Sequence, residues 1–209
     1  MFSGKSSDLK RYQNRLEIAK RIQGVDFIVY NFASDTRYGQ NILGTHDGNH
    51  CPATMISSST DLFLDLFQTD DQGNTILRAN REKLQAIFID EAQFFDQNLG
   101  KTLSFIDNFY LNFRGQGLNI YCAGLDMDFR GEPFPTMADL LSRAESVDKF
   151  TAVCSVCGED AQFTQRLING QPACYDDPIV LVGAKDHYTA RCSKHHEIPG
   201  KPIPTIKPI

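Results

Sequence analysis

The chain predicts an α/β fold, a parallel sheet flanked by helices, followed by a small β-rich subdomain built around a metal ion. Three observations carry that prediction. Short apolar, β-branched runs occur at residues 26–32, 86–90 and 118–124, and runs of this kind are strands buried on both faces. The stretches between them repeat apolar residues at helical spacing, and strands alternating with helices imply right-handed crossovers and a parallel sheet. Beyond about Lys149 the helical spacing stops, and paired cysteines with short β-like runs replace it.

Taken in order, Leu9, Tyr12, Leu16, Ala19 and Ile22 recur at three- and four-residue steps, so residues 7–23 read as a helix with one buried stripe, stopped by Gly24. The strand at 26–32 follows. Residues 34–53, SDTRYGQNILGTHDGNHCPA, are rich in Gly, Asn, Asp and Thr and read as a long loop, a kind of segment that often carries function. A helix around 60–67 and the polar stretch QTDDQGN lead to the second strand, which ends in Asp90-Glu91. Leu99, Leu103, Ile106, Tyr110 and Phe113 mark another helix before the third strand. In the last part the β-like runs are 150–153, 162–168, 179–182 and 187–191, with an Asn169-Gly170 turn, and the proline-rich tail KPIPTIKPI reads as an extended arm. There is no internal repeat and no low-complexity block.

The 209 residues are 41% hydrophobic and 22% charged, which suits one main core with an appendage and excludes a fibrous or disordered chain. Twenty-one basic against 26 acidic residues give a net charge of -5, a poor electrostatic match for a nucleic acid. No apolar run approaches the roughly eighteen residues of a membrane-spanning helix, and MFSGKSSDLKR lacks the apolar stretch of a secretory signal, so a cytoplasmic protein is expected. Six cysteines are too few for a disulfide scaffold in a chain this long, and close pairs in a reducing compartment point to metal.

Three groups of residues carry chemistry. Ser3-Gly4-Lys5-Ser6, directly before a helix, is the second half of a phosphate-loop pattern: backbone N–H groups cradle phosphates, the lysine adds a point charge and the serine hydroxyl suits Mg²⁺. Asp90 and Glu91 close a buried strand, where one acid can serve Mg²⁺ and the other can take a proton from an attacking hydroxyl. Cys154-x2-Cys157 and Cys192-x2-His195, separated by residues 158–191, form a Cys₃His set suited to tetrahedral Zn²⁺. Four protein ligands leave no open position, so that metal is structural. His196 is the alternative fourth ligand, while Cys51, Cys122 and Cys174 have no partner at metal spacing and read as small apolar residues.

Together with these groups, the stretches MFSGKSS, DTRYG, THDG, IDEAQFF, GLDMDFRGEPF, CSVCG and VGAKDHYTARCSKHH resemble, in order and over nearly the whole chain, the zinc-containing thymidine kinases of the type shared by bacteria and animals. The resemblance implies a P-loop (RecA-like) parallel sheet over residues 1–148 and a zinc-binding lasso subdomain with its tail over residues 149–209. It implies transfer of the γ-phosphoryl group of ATP to the 5′-hydroxyl of thymidine, with deoxyuridine as a second substrate, in nucleotide salvage. By position, Ser3, Gly4, Lys5, Ser6 and Ser7 hold the triphosphate, Asp90 supports Mg²⁺, and Glu91 is the general base. Gln93 lies in the same nucleotide-side motif, and Asp35, Thr36 and Arg37 match a second phosphate-side segment. For the nucleoside, Thr164, Ile179, Val180, Leu181, Val182, Gly183 and Tyr188 line base and sugar, largely through backbone groups, with Leu125 and Phe129 as apolar wall and Met1 near the thymine methyl. The family's ligand spacing favours His195 over His196. His46 reads as a structural hydrogen-bonding residue, and a homotetramer inhibited by thymidine triphosphate is expected by analogy.

Family members carry a strand and a glycine-proline pair ahead of the residues matching Met1-Phe2. The resemblance therefore implies a start called at an internal methionine, with the natural protein beginning roughly ten to thirty residues earlier. Two rival expectations belong to other classes. A zinc-ribbon ATPase acting on nucleic acid needs a basic stripe near the knuckles, yet residues 154–192 carry Glu159, Asp160, Asp176, Asp177 and Asp186 against Arg166, Lys185 and Arg191. A catalytically inactive relative would bind ATP and thymidine without turnover.

Overall fold

The computed structural model describes residues 3–33, 42–44, 50–179 and 187–203. Two compact units share the chain: Lys5–Leu125 with Pro135–Val147 make one, and the described parts of Met1–Gly4, Asp126–Phe134 and Asp148–Ile209 make the other.

The first unit opens with α1 (Lys5–Gln23) and β1 (Asp26–Phe32), followed by the hairpin of β2 (Ile42–Gly44) and β3 (His50–Pro52) inside the expected loop. Then come β4 (Thr54–Ile56), α2 (Ser59–Leu66), the hairpin of β5 (Phe67–Thr69) and β6 (Thr75–Leu77), β7 (Leu84–Ile89), a 3-10 turn at Ala92–Phe94, α3 (Leu99–Arg114), β8 (Asn119–Cys122) and α4 (Pro135–Arg143). The central sheet has the order β4-β1-β7-β8, and every pair in it is parallel. β7 lies inside this sheet and five of its six residues are buried, which is why its sequence is apolar throughout rather than alternating.

Side-chain alternation divides the core. Val29, Ala86 and Phe88 pack with Leu9 of α1, and Tyr12, Leu16, Phe27 and Tyr121 cover that cluster. An aromatic column runs through it: Tyr12 stacks on Tyr121 at 4.9 Å, Tyr121 on Phe88 at 4.8 Å, and Phe27 meets Phe88 edge-on at 5.7 Å. Tyr30, one residue on and therefore facing the other way, donates its hydroxyl to Asp65 of α2 at 2.6 Å. At the far end of α3, Arg114 donates to the Leu84 carbonyl at 2.6 Å, and Gly115, at φ 74°, provides the left-handed stop.

Three differences from the sequence expectations have physical reasons. Helix α1 begins at Lys5 rather than Ser7, because Gly4 turns the chain at φ 86°. Its apolar stripe fades before the end, with Ile22 76% exposed. Helix α4 and strand β4 carry weak sequence signals: α4 is announced only by proline at its first position, and β4 is three residues long, stabilised by pairing with β1 rather than by its own propensity.

The second unit is antiparallel. β9 (Ala152–Val153) pairs with β10 (Asp160–Ala161), and β11 (Phe163–Ile168) lies between β12 (Gln171–Pro172) and β13 (His187–Arg191). Asn169 and Gly170, at φ 51° and 81°, supply the two left-handed residues of the β11–β12 turn. The core cluster here is Ala152, Cys154, Ala161, Ala190 and Cys192, too small a set of side chains to hold such a unit by apolar burial alone. Ile179, expected in a strand, is an exposed bend residue; the rest of that run lies outside the described residues.

Candidate active site and metal centre

In the first unit the parallel sheet ends at a carboxylate cluster. The β1–β7 register sets Ile89 opposite Tyr30, and the Asp90 N–H donates to the Tyr30 carbonyl at 3.0 Å. This turns the Asp90 side chain toward the first turn of α1, where Ser6 donates its hydroxyl to Asp90 Oδ2 at 3.1 Å. Asp90 Oδ1 accepts from the Glu91 N–H at 2.9 Å. Burial first, and the neighbouring Glu91 charge second, push the Asp90 carboxyl up to about 6, against the Glu91 N–H, the Ser6 hydroxyl and the Lys5 charge. A buried carboxylate in that condition is a good seat for a divalent cation, because the cation supplies the charge that burial withholds.

Glu91 begins the 3-10 turn in the left-handed region, φ 51° and ψ 39°, a conformation that costs energy for a residue with a Cβ and recurs at functional sites. Its carboxylate Oε2 accepts from Gln93 Nε2 at 2.5 Å, and Gln93 Oε1 accepts from the Leu125 N–H at 3.0 Å. The same turn is tied to the neighbouring strand's end, with Ala92 N–H donating to the Ala123 carbonyl at 3.0 Å and Ala123 N–H to the Ile89 carbonyl at 2.8 Å. Among the residues expected at the nucleotide side, Lys5, Ser6, Asp90, Glu91 and Gln93 thus share one end of the sheet. Ser7, exposed on the first turn of α1, follows Ser6. Ser3, half-buried, and Gly4, exposed, immediately precede the helix. Asp35, Thr36 and Arg37 lie outside the described residues.

In the second unit the four predicted ligands converge. The ligand atoms of Cys154, Cys157, Cys192 and His195 all lie within 4.8 Å of one another. A tetrahedral zinc ion with Zn–S of about 2.3 Å and Zn–N of about 2.1 Å needs S···S edges of about 3.8 Å and S···N edges of about 3.6 Å. Cys157 Sγ is 3.7 Å from Cys192 Sγ, and His195 Nδ1 is 3.2 Å from Cys192 Sγ and 3.9 Å from Cys154 Sγ. The residues present therefore fit the ion. Desolvation opposes ionisation of Cys154, but backbone N–H groups of Cys192, Val156 and Cys157, with the Cys157 side chain, bring its thiol down to about 6, toward the thiolate a metal requires. His196 stands apart from these ligands. Its ring stacks on Phe163 at 4.6 Å and its Nε2 pairs with the Phe129 carbonyl at 2.8 Å.

Of the residues expected to face the nucleoside, Thr164 is buried on β11, opposite Ala190 of β13, and Tyr188 is half-buried opposite Arg166. Phe129 is buried, with the Arg130 and Arg166 guanidiniums 5.4 and 5.3 Å from its ring. Val180, Leu181, Val182 and Gly183 lie outside the described residues. Arg130 lies inside the stretch GLDMDFRGEPF, where no role is expected of it, and Arg166 lies in none of the matching stretches. Arg130 donates to the Asp177 carbonyl at 2.6 Å and the fully buried Arg166 to the Pro178 carbonyl, so both grip the backbone just ahead of Ile179. Thr164, Gln165 and Arg166 are buried one after another on β11, so no alternation in the sequence marks Arg166.

A model of the thymidine kinase family matches residues 1–196. The chain belongs to the thymidine kinase family. The thymidine kinase of Deinococcus deserti is 42% identical to it over 200 residues, covering 95% of this chain and 91% of that one. Among the described residues, this thymidine kinase family member has no helix long and apolar enough to cross a membrane.

Proposed function

We propose that the protein phosphorylates thymidine with ATP, giving thymidine monophosphate and ADP. The observation that carries this reading is the sheet end itself, where buried Asp90 is hydrogen-bonded to Ser6 on the first turn of α1 and stands beside Glu91. Backbone N–H groups at the start of α1 with Lys5, Ser6 and Ser7 bind the triphosphate, extended by Ser3 and Gly4. Asp90 and Ser6 would hold Mg²⁺, which would offset the charge of the nucleotide's phosphates. Glu91 accepts the proton of the 5′-hydroxyl as the new O5′–Pγ bond forms and the bond from Pγ to the β,γ-bridging oxygen breaks, leaving ADP. Asp35, Thr36 and Arg37 serve the same phosphates, and a guanidinium there offsets charge on the transferred group.

Thr164, Tyr188 and the backbone from Ile179 to Gly183 hold the nucleoside, and zinc on Cys154, Cys157, Cys192 and His195 fixes the feet of that segment. Family membership also supports use of deoxyuridine, inhibition by thymidine triphosphate, a homotetramer and a cytoplasmic role in nucleotide salvage.

The test is thymidine-dependent transfer of labelled γ-phosphate from ATP by the purified chain, with Glu91→Gln as control. Transfer by the unmutated chain, reduced at least 100-fold in Glu91→Gln with ATP still bound, is expected for loss of a general base. Full activity in Glu91→Gln would remove the proposed base.

A further inference from the structure

Gln93 is buried, only 4% exposed, yet its amide is one residue away from the exposed surface of the 3-10 turn, where Phe94 is 37% exposed. Its two ends are engaged in opposite directions. The Nε2 donates to Glu91 Oε2 at 2.5 Å and the Oε1 accepts from the Leu125 N–H at 3.0 Å. A side-chain amide used this way has a fixed orientation, since exchanging its oxygen and nitrogen would set donor against donor and acceptor against acceptor. Gly124 and Met137 pack beside it. A Cβ on Gly124 would fall 2.7 Å from Gln93 Oε1 and 2.8 Å from Met137 Sδ, closer than real side chains approach, so glycine at 124 is what lets the amide reach Leu125. Met137 is itself buried on α4, next to Thr136, whose hydroxyl donates to the Phe95 carbonyl at 2.7 Å.

We infer that Gln93 is a positioning residue for Glu91 rather than a ligand of the nucleotide, and that Gly124 and Met137 are the packing that makes this possible. The inference rests on the proposed role of Glu91. The reason such a strut is needed lies in the backbone: Glu91 sits in the left-handed region at φ 51°, on a turn of only three residues, and a flexible carboxylate there would sample many rotamers. A general base contributes only in the geometry that meets the substrate hydroxyl, and a misplacement of about 1 Å is enough to lose about 100-fold in rate. Anchoring the amide to the Leu125 backbone fixes that geometry from a neighbouring strand's end.

The experiment is a double-mutant cycle in single-turnover phosphoryl transfer, with ATP and thymidine affinities measured alongside. Gln93→Leu is expected to lower the transfer rate about 10- to 100-fold and to leave both affinities within about twofold. In a Glu91→Gln background the same substitution should cause no further loss, because a strut has nothing left to position. Gln93→Met keeps the length of the side chain but loses both the donor to Glu91 and the acceptor for Leu125 without adding a charge, so it checks the same loss with the packing largely kept. Gly124→Ala should lower the rate in the same way. Weakened ATP binding in Gln93→Leu, losses that multiply in the double mutant, or an unchanged rate in both Gln93 variants would overturn the inference. Full activity in Glu91→Gln alone would instead overturn the role of Glu91 itself.

Discussion

A buried acid is worth most when its charge is needed, and Asp90 shows the balance. Its carboxyl, ordinarily near 3.8, is raised to about 6 by burial and by Glu91, so the folded chain binds its proton more tightly than the unfolded chain does. The stability this gives is present at low pH and is lost as pH rises from about 4 to about 6. At neutral pH the ionised group costs up to about 3 kcal/mol by the usual conversion of a shift of about two units. Asp90→Asn should therefore raise the melting temperature at pH 7.5 without added Mg²⁺ while abolishing transfer; a lower melting temperature would show that its hydrogen bonds to Ser6 and Glu91 outweigh burial. The sequence made Asp90, Glu91 and the four metal ligands legible, because strand-end acids and two-residue ligand spacings are local patterns. The engagement of Gln93 was not legible: its second partner is the Leu125 N–H, 32 residues away, and no local pattern encodes that. Arg130 and Arg166 were hidden for the same reason, since their partners are backbone carbonyls at Asp177 and Pro178.

At the scale of elements, the buried strands were readable because β1 and β7 are apolar along most of their length, whereas the β5–β6 hairpin was not, its two strands being short, half polar and mostly exposed. What fixes α1, and with it Lys5 and Ser6, is the aromatic column of Tyr12, Tyr121 and Phe88. Phe88→Leu removes the ring from a fully buried position and should cost about 1–2 kcal/mol, read as a lower denaturant midpoint at unchanged slope. Because the column lies directly behind the first turns of α1, ATP affinity should fall with it. Stability lost with ATP affinity intact would separate the column from the phosphate site.

For the whole molecule the two units draw on different sources of stability. The first has a layered apolar core, and the second has alanines, cysteines and a site for an ion. Removal of zinc by a chelator should therefore abolish hydrogen-exchange protection along β11 and β13 while β1 and β7 keep theirs, and Cys157→Ser should mimic it. Zinc should be released more readily as pH falls, because protons compete with the ion for the ligand thiolates. Loss of protection in β7 on chelation would show that the units fold as one. The chain's path between them has a further consequence. It leaves the first unit at Asp126, re-enters at Pro135 and leaves again at Asp148, so the second unit is not a tail that a gene fusion could carry elsewhere. A fragment starting at 148 would lack Phe129, against which Arg166 and His196 pack. The metal-bearing half is thus inherited only with the whole chain, and shuffling at the obvious cysteine boundary would yield orphans on both sides.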